Sequence, residues 1–394
     1  MKKHSYRGNL WIKCRKYRQP LTFAVKIATL HNTVTENDTD TVFTAENSLE
    51  RCRVVAVTIK DIARLSGVSI TTVSRVLNNR PDVSAESRRK VEAVIESTNY
   101  IPNNSARELV RTGSNNIGLV VRGVSNPFYT DIIRAIETAV TEAGYTLVMQ
   151  QIDSGKDEAN HGAMMQREKR LRGLIFLGGQ FDYTPESVAS ITVPFICCSY
   201  ANHYGTLPKD SYSSVSIADE DTAYEAVAHL IQCGHKRIAA LIAAADDRSI
   251  SQLRYEGYVK ALRDHGIEVD PALVLCTNDY DIRGAHDTVK AALERENGGD
   301  FTAVFAISDN MAIGAMRALR DAGRRVPEDC SVIAIDGLEL SAYIEPPLTT
   351  LCQPKEEMGR ESVKQLLALM KGEGVHTQQI LPTTLREGRS IATV

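Results

Sequence analysis

From Asn116 onward, short unbroken apolar runs alternate with longer amphipathic stretches, and this alternation constrains the fold more than any other feature of the chain. The runs fall at about Ile117–Val121, Thr146–Gln150, Leu174–Leu177, Phe195–Ser199, Ile238–Ala243, Leu273–Cys276, Val304–Ile307 and Val332–Ile335. Amphipathic segments such as Phe128–Ala143 and Met311–Ala322 lie between them. Strands without polar alternation are buried on both faces, so the pattern predicts parallel sheets covered by helices on both sides. Eight or so strands in two sets of four predict two similar lobes. A chain of 394 residues is too long for one ordinary core, which agrees with several packed units.

Upstream the pattern changes. Ile59, Ile62, Ala63 and Leu65 repeat at helical spacing until Gly67 interrupts them, and Ser69 stands where an N-cap belongs. A second short helix is predicted from about Ile70 to Leu77, with Val73, Val76 and Leu77 facing inward. After a loop containing Pro81, Ser84 opens a third helix from about Ala85 to Thr98, striped by Val91, Val94 and Ile95. Three short helices with a tight turn between the first two make a helix-turn-helix head. The fold class predicted is a small all-α helix-turn-helix head plus a two-lobed α/β domain of doubly wound parallel sheets.

The domain boundaries follow. Residues 1–56 show no sustained period and read as a disordered extension, either a basic arm adding phosphate contacts or a segment upstream of a true start at Val57. Residues 57–101 form the head, 102–114 a hinge with too little apolar surface for a stable isolated helix, and 115–394 the two-lobed domain. Charge is divided the same way. Residues 1–56 carry ten basic against five acidic side chains and 57–113 nine against six, within a chain of net charge −3. A basic head on an acidic body suits a protein that touches a polyanion at one end only.

Other classes lose ground. The basic N-terminus is no secretory signal, because Leu21–Leu30 is broken by Lys26 and no small-residue cleavage site follows. No apolar run reaches the length of about 18 residues that a membrane helix needs. The eight cysteines form no C-x-x-C pair and read as reduced, mostly buried thiols of a cytoplasmic protein. No Walker A sequence, G-x-G-x-x-G after the first strand, G-x-S-x-G elbow or metal-spaced His pair appears, so neither an enzyme nor a cofactor is expected.

Seven segments in order carry a resemblance. They are VTIKDIARLSGVSITTVSRVLNN, NYIPNNSAREL, IGLVVRGVSNPFYTDIIRAIE, HLIQCGHKRIAAL, LRYEGYVKAL, SDNMAIGAMRAL and VIAIDGLELSAYIEPPLTTL. From about Thr58 to the C-terminus the chain resembles the LacI/GalR family of bacterial transcription regulators. The resemblance implies a sequence-specific repressor whose operator affinity is set by a small-molecule effector, a sugar or sugar derivative. It also implies a periplasmic-binding-protein-like effector domain and a homodimer on a pseudo-palindromic operator. No heptad-bearing tail follows Arg389, so a dimer is expected and not a coiled-coil tetramer.

The resemblance places Ile70, Thr71 and Arg75 at base-reading positions beside Ser69. Arg75 can make a bidentate contact to guanine, whereas Ile70 can only press on an apolar group such as a thymine methyl. Thr72, Ser74 and Asn78 are better placed for phosphates, which set register. In the hinge the resemblance makes Leu109 a minor-groove wedge, with Ala106 allowing close pairing of hinge helices and Arg107 reaching phosphate or groove. An alternative packs Leu109 against the adjacent lobe.

Ligands of such two-lobed folds bind near the carboxyl ends of the strands. The resemblance matches Phe128, Arg254, Asp309 and Asp336 to ligand-binding positions. Asn126 follows the first strand, and Arg248 lies near Arg254. For a polyol, carboxylates accept hydroxyl protons, arginine donates to vicinal oxygens, and an aromatic face covers the ring. Each has a second reading: Asp309 as a cap of the helix opening at Met311, Phe128 as core, Arg254 in a surface ion pair, Asp336 as a strand-end cap. The chain departs from the family pattern at Gly337, where a second aspartate is common, and at Ala218, Asp219 and Thr222 near the first lobe crossing. Arg248 and Phe128 suit a phosphate-bearing or planar ligand as well as a free sugar.

Overall fold

The computed structural model describes residues 57–77, 80–98, 100, 114–123, 126–295 and 299–394. They divide into two compact units, the head and the two-lobed body, whose division lies in the 102–103 region. The extension 1–56 and most of the 102–114 segment, with Ala106, Arg107 and Leu109, lie outside the described residues, as does Asn78.

In the head, α1 (Ile59–Ser66) begins with a capping box: Asp61 N–H donates to Thr58 Oγ1 at 3.4 Å and Thr58 N–H to Asp61 Oδ2 at 3.0 Å. Gly67 ends it in the left-handed region at φ 68°. Ser69 Oγ accepts from Thr72 N–H at 3.0 Å and so caps α2 (Ile70–Leu77). Ser84 Oγ accepts from Ser87 N–H at 3.2 Å at the start of α3 (Ala85–Thr98). Ile62, Ala63, Val73, Val76 and Val91 close the small core from all three helices. Both caps and all three helices agree with the sequence expectation.

The first lobe holds β1 (Asn116–Arg122), α4 (Tyr129–Glu142), β2 (Thr146–Ile152), α5 (Glu158–Lys169), β3 (Gly173–Leu177), α6 (Pro185–Val188), β4 (Phe195–Cys198) and β5 (Ser213–Ser216). The second holds α7 (Asp219–Gln232), β6 (Ile238–Ile242), α8 (Ile250–Asp264), β7 (Val274–Cys276), α9 (Ile282–Leu293), β8 (Ala303–Ala306), α10 (Asp309–Asp321), β9 (Ser331–Asp336) and β10 (Thr349–Cys352). The chain then returns through α11 (Lys355–Lys371) and β11 (Gln378–Ile380) to the first lobe, and through β12 (Thr384–Arg386) to the second. Sheet orders are β2-β1-β3-β4-β5-β11 and β7-β6-β8-β9-β10-β12, the same plan twice. Strand pairs are parallel except β10 with β12.

The expectation of four strands per lobe falls short by two in each. β5 reads Ser-Ser-Val-Ser and β10 Thr-Thr-Leu-Cys, so neither shows an apolar run. Both are nevertheless buried, because their hydroxyl-bearing residues pair within the sheets. β11 reads Gln-Gln-Ile and β12 Thr-Leu-Arg, short and mostly polar, so no apolar run registers.

Two-sided burial is visible residue by residue. In β3, Leu174 and Phe176 enter one core and Ile175 and Leu177 the other; in β4, Phe195 and Cys197 separate from Ile196 and Cys198 in the same way. Full burial of such a side chain contributes about 1.5–3 kcal/mol each. Three crossings join the lobes, at 217–218, 353–354 and 381–383, and α11 packs on α4 while α7 packs on α8. The strand ends of both lobes face one cleft.

Among the described cysteines, Cys197, Cys198 and Cys330 are buried, Cys233 and Cys352 half-buried and Cys276 exposed, all as free thiols. Among the described residues no helix is long and apolar enough to cross a membrane.

Candidate functional site

The first candidate surface is α2. Its inward residues Val73 and Val76 are buried, so the opposite face must be presented outward. Ser69, Ile70, Thr71 and Arg75 are exposed, and Thr72 and Ser74 are half-buried. Ile70 is 45% exposed although apolar, which leaves its side chain available for contact. Ser69 and Thr72 also join through their hydroxyls at 2.9 Å. Arg75 Nη1 lies 3.4 Å from Asp82 Oδ2, an exposed pair that the sequence reading did not include. Such a pair contributes about 0–1 kcal/mol and is easily exchanged for a stronger partner.

The second candidate is a cleft of about 900 Å³ between the lobes. Five of the six expected ligand residues line it: Asn126, Phe128, Arg248, Arg254 and Asp336. Asn126 Oδ1 accepts from Phe128 N–H at 3.1 Å, which turns the chain from β1 into α4. Phe128 serves two purposes at once, since it is 5% exposed within the core and also forms cleft wall. Arg248 is exposed, with φ 51°.

Arg254 is no surface ion pair. Its side chain is 3% exposed, with Nε donating to Asp219 Oδ1 at 3.0 Å and Nη1 3.5 Å from Asp336 Oδ1. Nη1 also donates to the Ile307 carbonyl. Nη2 lies 3.0 Å from Asp219 Oδ1 yet has no hydrogen bond among the described residues. Burial alone would lower the Arg254 pKa, but Asp219 and Asp336 reverse the effect and raise it.

Asp336 ends β9 at φ 135°, a strained conformation for a residue with a side chain. Gln353 Nε2, on the second crossing, donates to its Oδ1 at 2.9 Å. Burial, opposed by Arg254 and reinforced by the charge of Asp309, pushes the Asp336 carboxyl up to about 7. Asp219 is likewise raised by burial against the pull of Arg254.

Asp309 is placed differently from the expectation. It does not line the cleft, and its oxygens accept from Leu338 N–H at 2.7 Å, Ser341 Oγ at 2.6 Å and Thr350 Oγ1 at 2.6 Å. With both oxygens engaged and the side chain fully buried, it braces the β9–β10 region from within. Nor does it cap α10: Ser308 Oγ accepts from Met311 N–H at 3.3 Å, and Ser308 itself lines the cleft.

The sequence reading missed several participants. Asp219 was noted only as a departure, yet it holds Arg254. Glu158 is fully buried, accepts from Gln180 N–H and Tyr183 Oη through Oε1, and has Oε2 3.5 Å from Arg122 Nε. Tyr183 Oη is 2.7 Å from that of Tyr200, another lining residue. A glutamate at the first position of a helix reads in sequence as a dipole partner, so burial was the missing signal.

Comparison with known proteins bears on both sites. Residues 58–103 match bacterial regulatory proteins of the lacI family, and 227–391 match a periplasmic binding protein-like domain. The HTH-type transcriptional regulator MalR of Clostridium butyricum is 41% identical over 331 residues, 84% of this chain and 97% of the relative. The ribose operon repressor of Escherichia coli K12 is 32% identical over 335 residues, covering 84% and 99%. The lac repressor dimer bound to operator and the anti-inducer ONPF superposes with TM-score 0.68 at 30% identity, covering 85% of this chain and 99% of that one. With a helix-turn-helix head, a two-lobed body and relatives matched along nearly their whole length, the chain belongs to the lacI family of bacterial regulatory proteins.

Proposed function

We propose that the chain is a homodimeric transcriptional repressor that reads a pseudo-palindromic operator with α2 and takes a sugar or sugar derivative between its lobes. One head covers one half-site, and a two-fold dimer matches two. The observation that carries the effector reading is the Asp219–Arg254–Asp336 cluster at the foot of the cleft. It offers a buried guanidinium nitrogen without a hydrogen bond among the described residues, beside a carboxylate held near its titration point. Vicinal hydroxyls supply both partners: an oxygen to accept from Arg254 and a proton to donate to Asp336. Phe128 covers the apolar face of the ring. Because the cluster joins the start of α7, α8, β9 and the second crossing, a ligand that binds it favours one lobe arrangement. That shift changes operator affinity through the segment between body and head.

The test is selection of duplexes from a random library by the purified full-length chain, followed by titration of the selected duplex with a panel of sugars. Enrichment of an inverted repeat, with affinity altered by at least one sugar, is the expected result. No sequence enrichment with or without sugars would overturn the reading.

A further inference from the structure

The cleft lining carries more negative charge than its arginines compensate. Six aspartates line it, Asp153, Asp182, Asp247, Asp279, Asp281 and Asp336, against Arg122, Arg248 and Arg254. Two of those arginines are already engaged by buried carboxylates behind the wall. Glu158 Oε2 lies 3.5 Å from Arg122 Nε, and Asp219 Oδ1 lies 3.0 Å from Arg254 Nη2. Arg248 is the one lining arginine outside an ion pair among the described residues, and Asp247 precedes it in the chain. The arginine count alone suggests an anion site; the pairing pattern leaves Arg248 as the one unpaired lining arginine among the described residues, against six aspartates. Beyond those pairs the cleft offers a ligand an exposed donor, Arg248, and a surplus of carboxylate acceptors. Hydroxyl groups satisfy both without bringing charge, whereas a phosphate meets uncompensated aspartates.

Resting on the reading of the cleft as a sugar site, the geometry points to a cleft that accepts an uncharged polyhydroxylated ligand and rejects its phosphate monoester, with Glu158 as the positioning residue that withholds Arg122 from anion binding. Glu158 is well held for this task. Its Oε1 is fixed by Gln180 N–H and Tyr183 Oη, and its Oε2, without a hydrogen bond among the described residues, lies at ion-pair distance from the Arg122 guanidinium.

The experiment is titration calorimetry of the full-length protein with matched pairs: glucose and glucose 6-phosphate, ribose and ribose 5-phosphate, trehalose and trehalose 6-phosphate, maltose and maltose 6′-phosphate. The expected result is that a neutral member binds and its ester is at least about 30-fold weaker, the effect of one or two uncompensated charges at partly solvated range. Glu158→Gln, which keeps an acceptor for Gln180 and Tyr183, narrows that ratio by at least about 5-fold by freeing the Arg122 charge. Asp182→Asn with Asp279→Asn, at exposed or half-exposed rim positions, narrows it independently and covers the case in which the Glu158 variant does not fold. An ester that binds as tightly as its parent overturns the inference and leaves the sugar reading standing. A ratio unmoved in the Glu158 variant overturns the positioning role. Binding by no member of any pair overturns the sugar reading itself, and this inference with it.

Discussion

Arg254 has two carboxylates and a carbonyl as partners in a site that water barely reaches. Removing it leaves Asp219 and Asp336 buried without a counter-charge. Arg254→Ala is therefore expected to cost about 3–5 kcal/mol of body stability, read by urea unfolding, and to abolish effector binding. Asp336 gives a pH signature. Its folded pKa of about 7 exceeds the ordinary 3.8, so the folded state holds the proton more tightly than the unfolded chain. Its stabilising contribution is complete below the unfolded value and is lost as pH rises through about 7. Effector binding that needs the carboxylate moves oppositely and tightens over the same rise. Asp336→Asn should reduce the fall in melting temperature between pH 5 and 8; Asp219, raised in the same direction, keeps a residual slope. A melting curve whose pH slope is unchanged in the variant would contradict the assignment. At the head, Arg75→Ala should weaken operator binding by about 1–3 kcal/mol and relax preference at one base pair, measured by anisotropy on single-substituted duplexes. The Asp82 pair makes that loss slightly smaller than a free arginine would show.

Among the elements, α1 and α2 depend on one turn. Gly67 holds φ 68° with open space where a Cβ would go, so Gly67→Ala tests backbone strain without a clash. The expected cost is about 1–2 kcal/mol in the head, with operator affinity falling in proportion to the unfolded fraction. A larger loss, or none, would show that the turn geometry differs. The helices of the head were legible because capping and apolar spacing act within a few residues. The strands β1, β3, β4, β6, β8 and β9 were legible for the same reason: two-sided burial writes a continuous apolar run. β5 and β10 were not, since serines and threonines there are buried by sheet pairing that joins residues far apart.

On the scale of the whole body, three crossings and a core shared between lobes tie the two halves together. One apolar cluster contains Ile117 and Leu119 of the first lobe with Ile238 and Val304 of the second. The body is expected to unfold in a single calorimetric transition, with calorimetric and van't Hoff enthalpies equal; two resolved lobe transitions would refute this. An effector at 100 times its Kd should stabilise that transition by about 2.7 kcal/mol, and a bound ligand with no such shift does not bind the folded cleft.

By itself the sequence determined the helices of the head, the repeated strand–helix plan of the body and five residues that line the cleft. Those features rest on periodicity, capping and the rule that ligands meet strand ends, all of which are local. Only the tertiary structure decided which charges face one another. Asp309 became an internal brace, and Asp219 and Glu158 became the partners of Arg254 and Arg122. The reason is physical: the protonation and pairing of a buried carboxylate depend on groups brought from distant parts of the chain, and on how much water is left between them.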